Sequence, residues 1–188
     1  MSLTDQFPHA VEINGAVCEV NTDYRTGLKI MQAWEDRRLL NFEKQALTVG
    51  LLFKNPPDDL PEAMRMASKF LDCGRVYTSD DMDGGRVYSF TRDAEAIYSA
   101  FLQTYGVDLK DPSTSMHWWK FVAMFNDLSD DTLFERMVSM RSRYRRGKLT
   151  KEEKELWYSM ADVLDLDREP EDEETAQARE NFEKLLRG

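Results

Sequence analysis

The sequence predicts a mainly α (α+β) fold: a compact multi-helix domain that opens on a small N-terminal β-hairpin. Three observations carry this. Asn14-Gly15 separates two short β-prone runs, the strongest short-range hairpin signal. Behind it, apolar residues recur at helical spacing in run after run, each with its own start and stop residues. A chain of 188 residues is also long enough to bury a core without a disulfide or metal staple.

The hairpin spans residues 10–20. A two-residue turn sets Ile13 opposite Ala16 and Val11 opposite Cys18, so one face reads Val11, Ile13, Ala16, Cys18 and Val20. A lone hairpin is marginal in water, so this face needs a helix or a third strand against it. Thr22 or Asp23 then caps a helix to about Asp36, with Leu28, Met31 and Trp34 on its stripe. Asn41 caps a second, Phe42 to Lys54, aligning Phe42, Ala46, Val49 and Phe53. Gly50 weakens that helix by about 1 kcal/mol relative to Ala unless close packing requires it. Pro61, in the favoured first turn, starts a third helix that Gly74 stops.

Residues 75–91 place two β-prone runs around a polar SDDMDGG, which fits either a second hairpin or a loop. The next pattern is clear. Ala94, Ile97, Tyr98, Phe101, Leu102 and Tyr105 line one helical face, and Gly106 ends it. A further helix carries Trp118, Phe121, Val122 and Phe125 on one side, with Trp119 off that face. Asp130 or Asp131 opens another, aligning Leu133, Met137, Met140 and Tyr144. Thr150 and Glu153 form a capping box, and that helix runs to about Asp165, burying Leu156, Met160, Val163 and Leu164. Residues 1–165 are therefore read as one helical domain, and residues 166–188 as an acidic linker around Pro170 with a short C-terminal helix from Thr175 to Arg187.

Charge is unevenly placed. The chain carries a net −10, yet residues 136–151 hold seven bases and no acid, while residues 165–188 hold nine acids against four bases. The acidic total argues against a general nucleic-acid binder. Within the basic run, Arg141, Arg145 and Lys148 recur at helical spacing with Tyr144 available for stacking, which makes it the best nucleic-acid candidate in the chain. A solvated face, or a partner for the acidic tail, is the simpler reading. No apolar run approaches the eighteen or so residues of a membrane span, and Met1–Gly15 has neither the basic start nor the apolar stretch of a signal peptide.

No catalytic or metal constellation emerges. Aligning Gly84 with the sixth position of an EF-hand loop puts Phe90 at position twelve, where a bidentate glutamate is required. His9 and His117 have no spaced partners that read as a ligand set, and Cys18 and Cys73 form no CxxC. The expectation is two thiols buried or partly buried in a reducing compartment, no cofactor, no metal and no enzymatic activity. His117 is read as a helix cap or part of a packed layer.

One block has a likeness elsewhere. The run Ile97-Tyr98-Ser99-Ala100-Phe101, then Tyr105-Gly106-Val107-Asp108-Leu109, then His117-Trp118-Trp119-Lys120-Phe121 resembles the bacteriophage gene-product-fifteen family. The early hairpin, Asp23-Tyr24-Arg25 and the Met140-Arg141 region fit the same family, over roughly residues 9–165. The resemblance implies a place in the phage tail module and the role of a tail assembly chaperone. Such a protein holds the tape-measure protein in solution, has the major tail protein as a further partner, works in several copies and acts in the cytoplasm of the bacterial host. Alternatives are a structural tail component or a nucleic-acid-binding regulator using residues 136–151. Two adjacent tryptophans cannot both face one core from one helix, so Trp119 with Met116 is the expected apolar partner surface. Arg141, Arg145 and Lys148 are the expected polar one.

Overall fold

The Asn14-Gly15 turn bends back the way its residues require: both lie at positive φ, 51° and 81°, as a type I′ turn demands. It joins β1 (Ala10–Ile13) to β2 (Ala16–Glu19), antiparallel, with Ile13 opposite Ala16 and Val11 opposite Cys18. This computed structural model describes residues 3–75 and 85–168. The polar run 76–84, the EF-hand-like Asp81-Gly84 turn within it, and the C-terminal helix expected at 175–187 lie outside the described residues. Ile13 and Val20 are the buried anchors of the hairpin face, which packs on α3 (Leu60–Leu71). Val20 also bridges to Phe53, which ties the hairpin to the end of α2 (Asn41–Leu52).

The other helices are α1 (Tyr24–Glu35), α4 (Ala94–Tyr105), α5 (Trp118–Phe125), α6 (Leu133–Arg145), α7 (Lys151–Ser159) and α8 (Ala161–Leu164). Packing runs α1 on α2, α2 on α3, α1 on α5, and α4 on α6. Short α5 occupies the middle because its rings do. Phe121 is fully buried and stacks on Tyr24 (5.6 Å), Phe101 (5.0 Å), Trp118 (5.5 Å) and Phe125 (6.0 Å). Phe125 passes the contact on to Phe134 of α6 at 5.3 Å. Each such pair adds about 0.5–1.5 kcal/mol beyond its buried area. A second, smaller cluster of Met137, Leu149, Trp157 and Leu164 lies where α6, α7 and α8 meet.

Three of the expected caps and stops are in place. Asp23 caps α1, Gly106 ends α4 at φ 65°, and the Thr150–Glu153 box opens α7. Residues 85–90 form no strand.

Four helix faces differ from the expected ones. In α1 the buried positions are Tyr24, Gly27 and Ile30, whereas Trp34 is 41% exposed and donates its indole N–H to Thr48 Oγ1 at 2.9 Å. In α2 the buried positions are Thr48, Val49 and Leu52, and Phe42 and Ala46 face outward. Its first turn is closed from Leu40, whose N–H donates to Glu43 at 2.7 Å, rather than from Asn41. Thr132, not Asp130 or Asp131, caps α6, and the buried positions are Phe134, Met137 and Arg141, with Leu133 and Tyr144 exposed. The last long helix breaks at Met160 into α7 and α8, so Leu156, Met160 and Val163 are exposed while Trp157 and Leu164 are buried. In the first three cases the true face contains a glycine, a threonine or an arginine, which a search for apolar periodicity passes over.

Gly27 and Gly50 make opposite predictions. A Cβ on Gly27 would lie 2.1 Å from the Trp118 ring, while one on Gly50 would meet nothing within 4 Å. Gly27→Ala is expected to destabilise by about 2 kcal/mol or more through overpacking. Gly50→Ala is expected to stabilise by about 0.5–1 kcal/mol through helix propensity. Urea denaturation of both variants checks the pair; similar shifts in the same direction would refute the packing described here.

Candidate functional site

His117, Trp118 and Trp119 act as one device. His117 precedes α5 with extended backbone, and its Nδ1 accepts from Trp119 N–H at 3.0 Å, capping the helix. Nε2 lies 3.0 Å from the Pro8 carbonyl, so the proton belongs on Nε2 and the ring is neutral. Burial depresses the His117 pKa, against the Pro8 contact, and the nearby His9 adds to the depression. Phe7 stacks on the imidazole at 4.9 Å, a contact that no spacing rule signals. The two indoles donate to neighbouring carbonyls at the end of α3: Trp118 to Leu71 and Trp119 to Phe70, each at 2.8 Å. Carbonyls of a helix's last turn are short of intrahelical partners, and each indole supplies one, Phe70 O accepting from Cys73 N–H as well.

This changes the expected apolar surface. Met116 is buried, and its carbonyl accepts from Tyr24 N–H at 3.0 Å. Trp119 is half-buried against Phe7 and Phe70. Met116 therefore belongs to the core, and Trp119 presents only part of its ring.

The basic run is also divided. Arg141 is 2% exposed and makes a bidentate pair with Asp93, itself 3% exposed, at 2.6 and 2.9 Å. Its remaining N–H groups donate to the carbonyls of Leu164, Val163 and Val87. Asp93 also accepts from Ser89 N–H. Arg145 pairs with Asp167 at 3.1 Å, Lys148 is exposed, and Tyr144 stacks flat on Trp157 at 3.9 Å. The open face of Arg141, Arg145 and Lys148 is not formed, because Arg141 faces inward. A partly exposed Tyr88 and a buried Phe134 share this region, but only the buried Asp93 explains why a guanidinium is tolerated there.

Apolar side chains reach the surface elsewhere. On α2, Leu40 (60%), Phe42 (66%) and Leu47 (39%) are exposed, and Ala46 and Gly50 continue the Phe42 strip at i+4 and i+8. Burial by tertiary contact turned this strip outward; its composition alone reads as core. Both cysteines are free and partly buried, and burial pushes the Cys73 thiol up to about 11, which keeps it a poor nucleophile. Among the described residues no three His, Cys, Asp or Glu side chains converge as a metal site, and no helix is long and apolar enough to cross a membrane.

The profile of the family described as Bacteriophage Gp15 protein matches residues 3–166. The chain belongs to this family. The Gp15 match takes in the hairpin, the aromatic core around α5 and the Arg141–Asp93 pair, and it stops at Leu166. No curated protein and no solved structure matches the chain.

Two measurements test this Gp15 core. Arg141→Met strands a buried carboxylate and is expected to cost about 3–5 kcal/mol, whereas Arg141→Met with Asp93→Asn recovers a large part of that loss. A double-mutant cycle by chemical denaturation reads the coupling, and additive losses would contradict it. The second concerns pH. Because the folded-state pKa of His117 lies below its ordinary value of 6.5, its contribution is complete above that pH and is lost as pH falls through the depressed value. Asn at 117 can cap α5 without titrating, so the loss of stability between about pH 7 and 5 is expected to shrink in His117→Asn.

Proposed function

We propose that this phage protein is a non-catalytic tail assembly factor that holds the tape-measure protein during tail morphogenesis. It works in several copies in the cytoplasm of the bacterial host, with the major tail protein as a further partner. Membership of the Gp15 family supports a phage role, and the outer face of α2 carries the finer reading. A protein that binds and releases apolar helices needs an accessible apolar strip on a charged scaffold. Phe42, Ala46 and Gly50 provide one bulky anchor followed by two positions where a partner helix can approach closely, and Leu40 and Leu47 flank them. The scaffold is strongly acidic, at net −10, which keeps such a strip from driving aggregation.

The strip suits an amphipathic helix as client, since its exposed apolar groups lie along one helix. Burying a phenylalanine on binding contributes about 1.5–3 kcal/mol, so Phe42→Glu is expected to weaken capture of the tape measure roughly tenfold or more. Folding stability should change little, because the side chain is already exposed. Co-expression with the tape measure, followed by pull-down and denaturation of the variant, checks both halves. Undiminished capture removes α2 as the client face. Failure of the native protein to co-purify with or solubilise the tape measure removes the chaperone role. Stoichiometric recovery of the protein in purified particles makes it a structural tail component instead.

A further inference from the structure

Resting on the several-copy reading above, we propose that two copies of this chain meet at the open edge of β2, antiparallel, with Val17 opposite Val17. Register decides which main-chain groups are available. Val20 N–H donates to the His9 carbonyl at 3.0 Å, so His9 and Val20 are a hydrogen-bonded pair of the hairpin. Bonded and non-bonded pairs alternate along an antiparallel ladder, so Val11–Cys18 and Ile13–Ala16 are bonded pairs as well. The main-chain groups of Val17 and Glu19 therefore point away from β1. Val17 N–H and C=O have no partner among the described residues. The residue is 77% exposed, more than any other large apolar residue in a described helix or strand.

The chain's own continuation of the sheet stops short of Val17 for a chemical reason. Residues 52–54 run along β2: Phe53 bridges to Val20, and Lys54 N–H donates to the Glu19 carbonyl at 3.1 Å. In that register the residue opposite Val17 is Pro56, which has no N–H to donate, and the chain already bends at Lys54 and Asn55. The edge is thus closed at Glu19 by Lys54 and at Gly15 by the turn. Between them lies a short open stretch whose midpoint is Val17. Unpaired N–H and C=O groups on such an edge are a template for another strand.

The occupant follows from symmetry. An isologous contact repeats each pairing in both directions about a two-fold axis, so it uses the whole open stretch only when centred on its midpoint. Centred on Val17, each Val17 N–H donates to the Val17 carbonyl of the other copy, and each Glu19 lies opposite Gly15 of the other copy. One hairpin tip then ends where residues 52–54 of the other copy begin, and neither Glu19 faces a carboxylate. A centre at Cys18 would instead set Val17 against Glu19, whose carbonyl Lys54 already fills. The outer edge of β1 offers no equivalent. Its outward-bonding residue beside the turn is Glu12, and the same pairing there would place two carboxylates directly opposite, which destabilises a sheet.

The test compares sedimentation velocity of the full chain, over a range of concentrations, with that of full-length V17P. Val17 N–H makes no bond within the hairpin, so proline there leaves the fold intact, which urea denaturation checks. It removes both bonds between the two Val17 residues, and self-association is expected to weaken at least about tenfold. Register is read separately by disulfide trapping with oxidised glutathione, in full chains carrying C18A and C73A. In V17C the paired Cα atoms lie about 5.5 Å apart, within reach of a disulfide, so the dimer is expected to be trapped. In E19C the two positions lie roughly 13 Å apart along the strands, and no trapping is expected. Equal trapping of V17C and E19C, or no trapping of V17C, overturns the proposal. Self-association that V17P leaves unchanged overturns it too, while keeping the several-copy reading. A native chain that stays monomeric at every concentration overturns both.

Discussion

The absence of one methyl group at Gly27 fixes the centre of this protein. Because α1 has no Cβ there, the Trp118 ring lies against its backbone, where even an alanine would be 2.1 Å away. From that position the indole N–H reaches the Leu71 carbonyl at the end of α3, and the ring stacks on Phe121. Phe121 then meets Tyr24 from α1 and Phe101 from α4. One close approach therefore links four helices. The His117 cap sets the first turn of α5, so the same ring is held from its own backbone as well.

A second constraint governs the C-terminal half. Segment 162–168 makes few apolar contacts of its own, with Leu164 and Leu166 its buried residues. It is held instead by arginines that donate to its carbonyls: Arg141 to Val163 and Leu164, and Arg92 to Asp162, Asp165 and Arg168. These carbonyls end a four-residue helix, and a planar guanidinium can satisfy several at once. The two arginines differ in their countercharge. Buried Arg141 has Asp93 within 3 Å, as a desolvated cation requires, whereas partly exposed Arg92 is held by main-chain carbonyls.

Surface chemistry separates accordingly. Apolar side chains left over by the core gather on α2, and arginines gather in a cleft beside the end of α1.

Much of the local structure was legible in the residues. Asn14-Gly15, Asp23, Gly106 and the Thr150–Glu153 box determined a turn, two helix starts and a helix end, because each acts through backbone conformations or hydrogen bonds within a few residues of itself. The IYSAF, YGVDL and HWWKF blocks were enough to point to the family. Which helix face turns inward was decided only by tertiary structure. Gly27 is buried because a tryptophan from a distant helix needs its empty side, Thr48 because it bonds Trp34, and Arg141 because Asp93 neutralises it. Hydrophobic spacing scores each of these residues as outward-facing. The candidate surfaces moved for the same reason: Met116 and Arg141 went into the core, and Phe42 came out. Burial depends on partners far along the chain, and spacing within one helix carries no record of them.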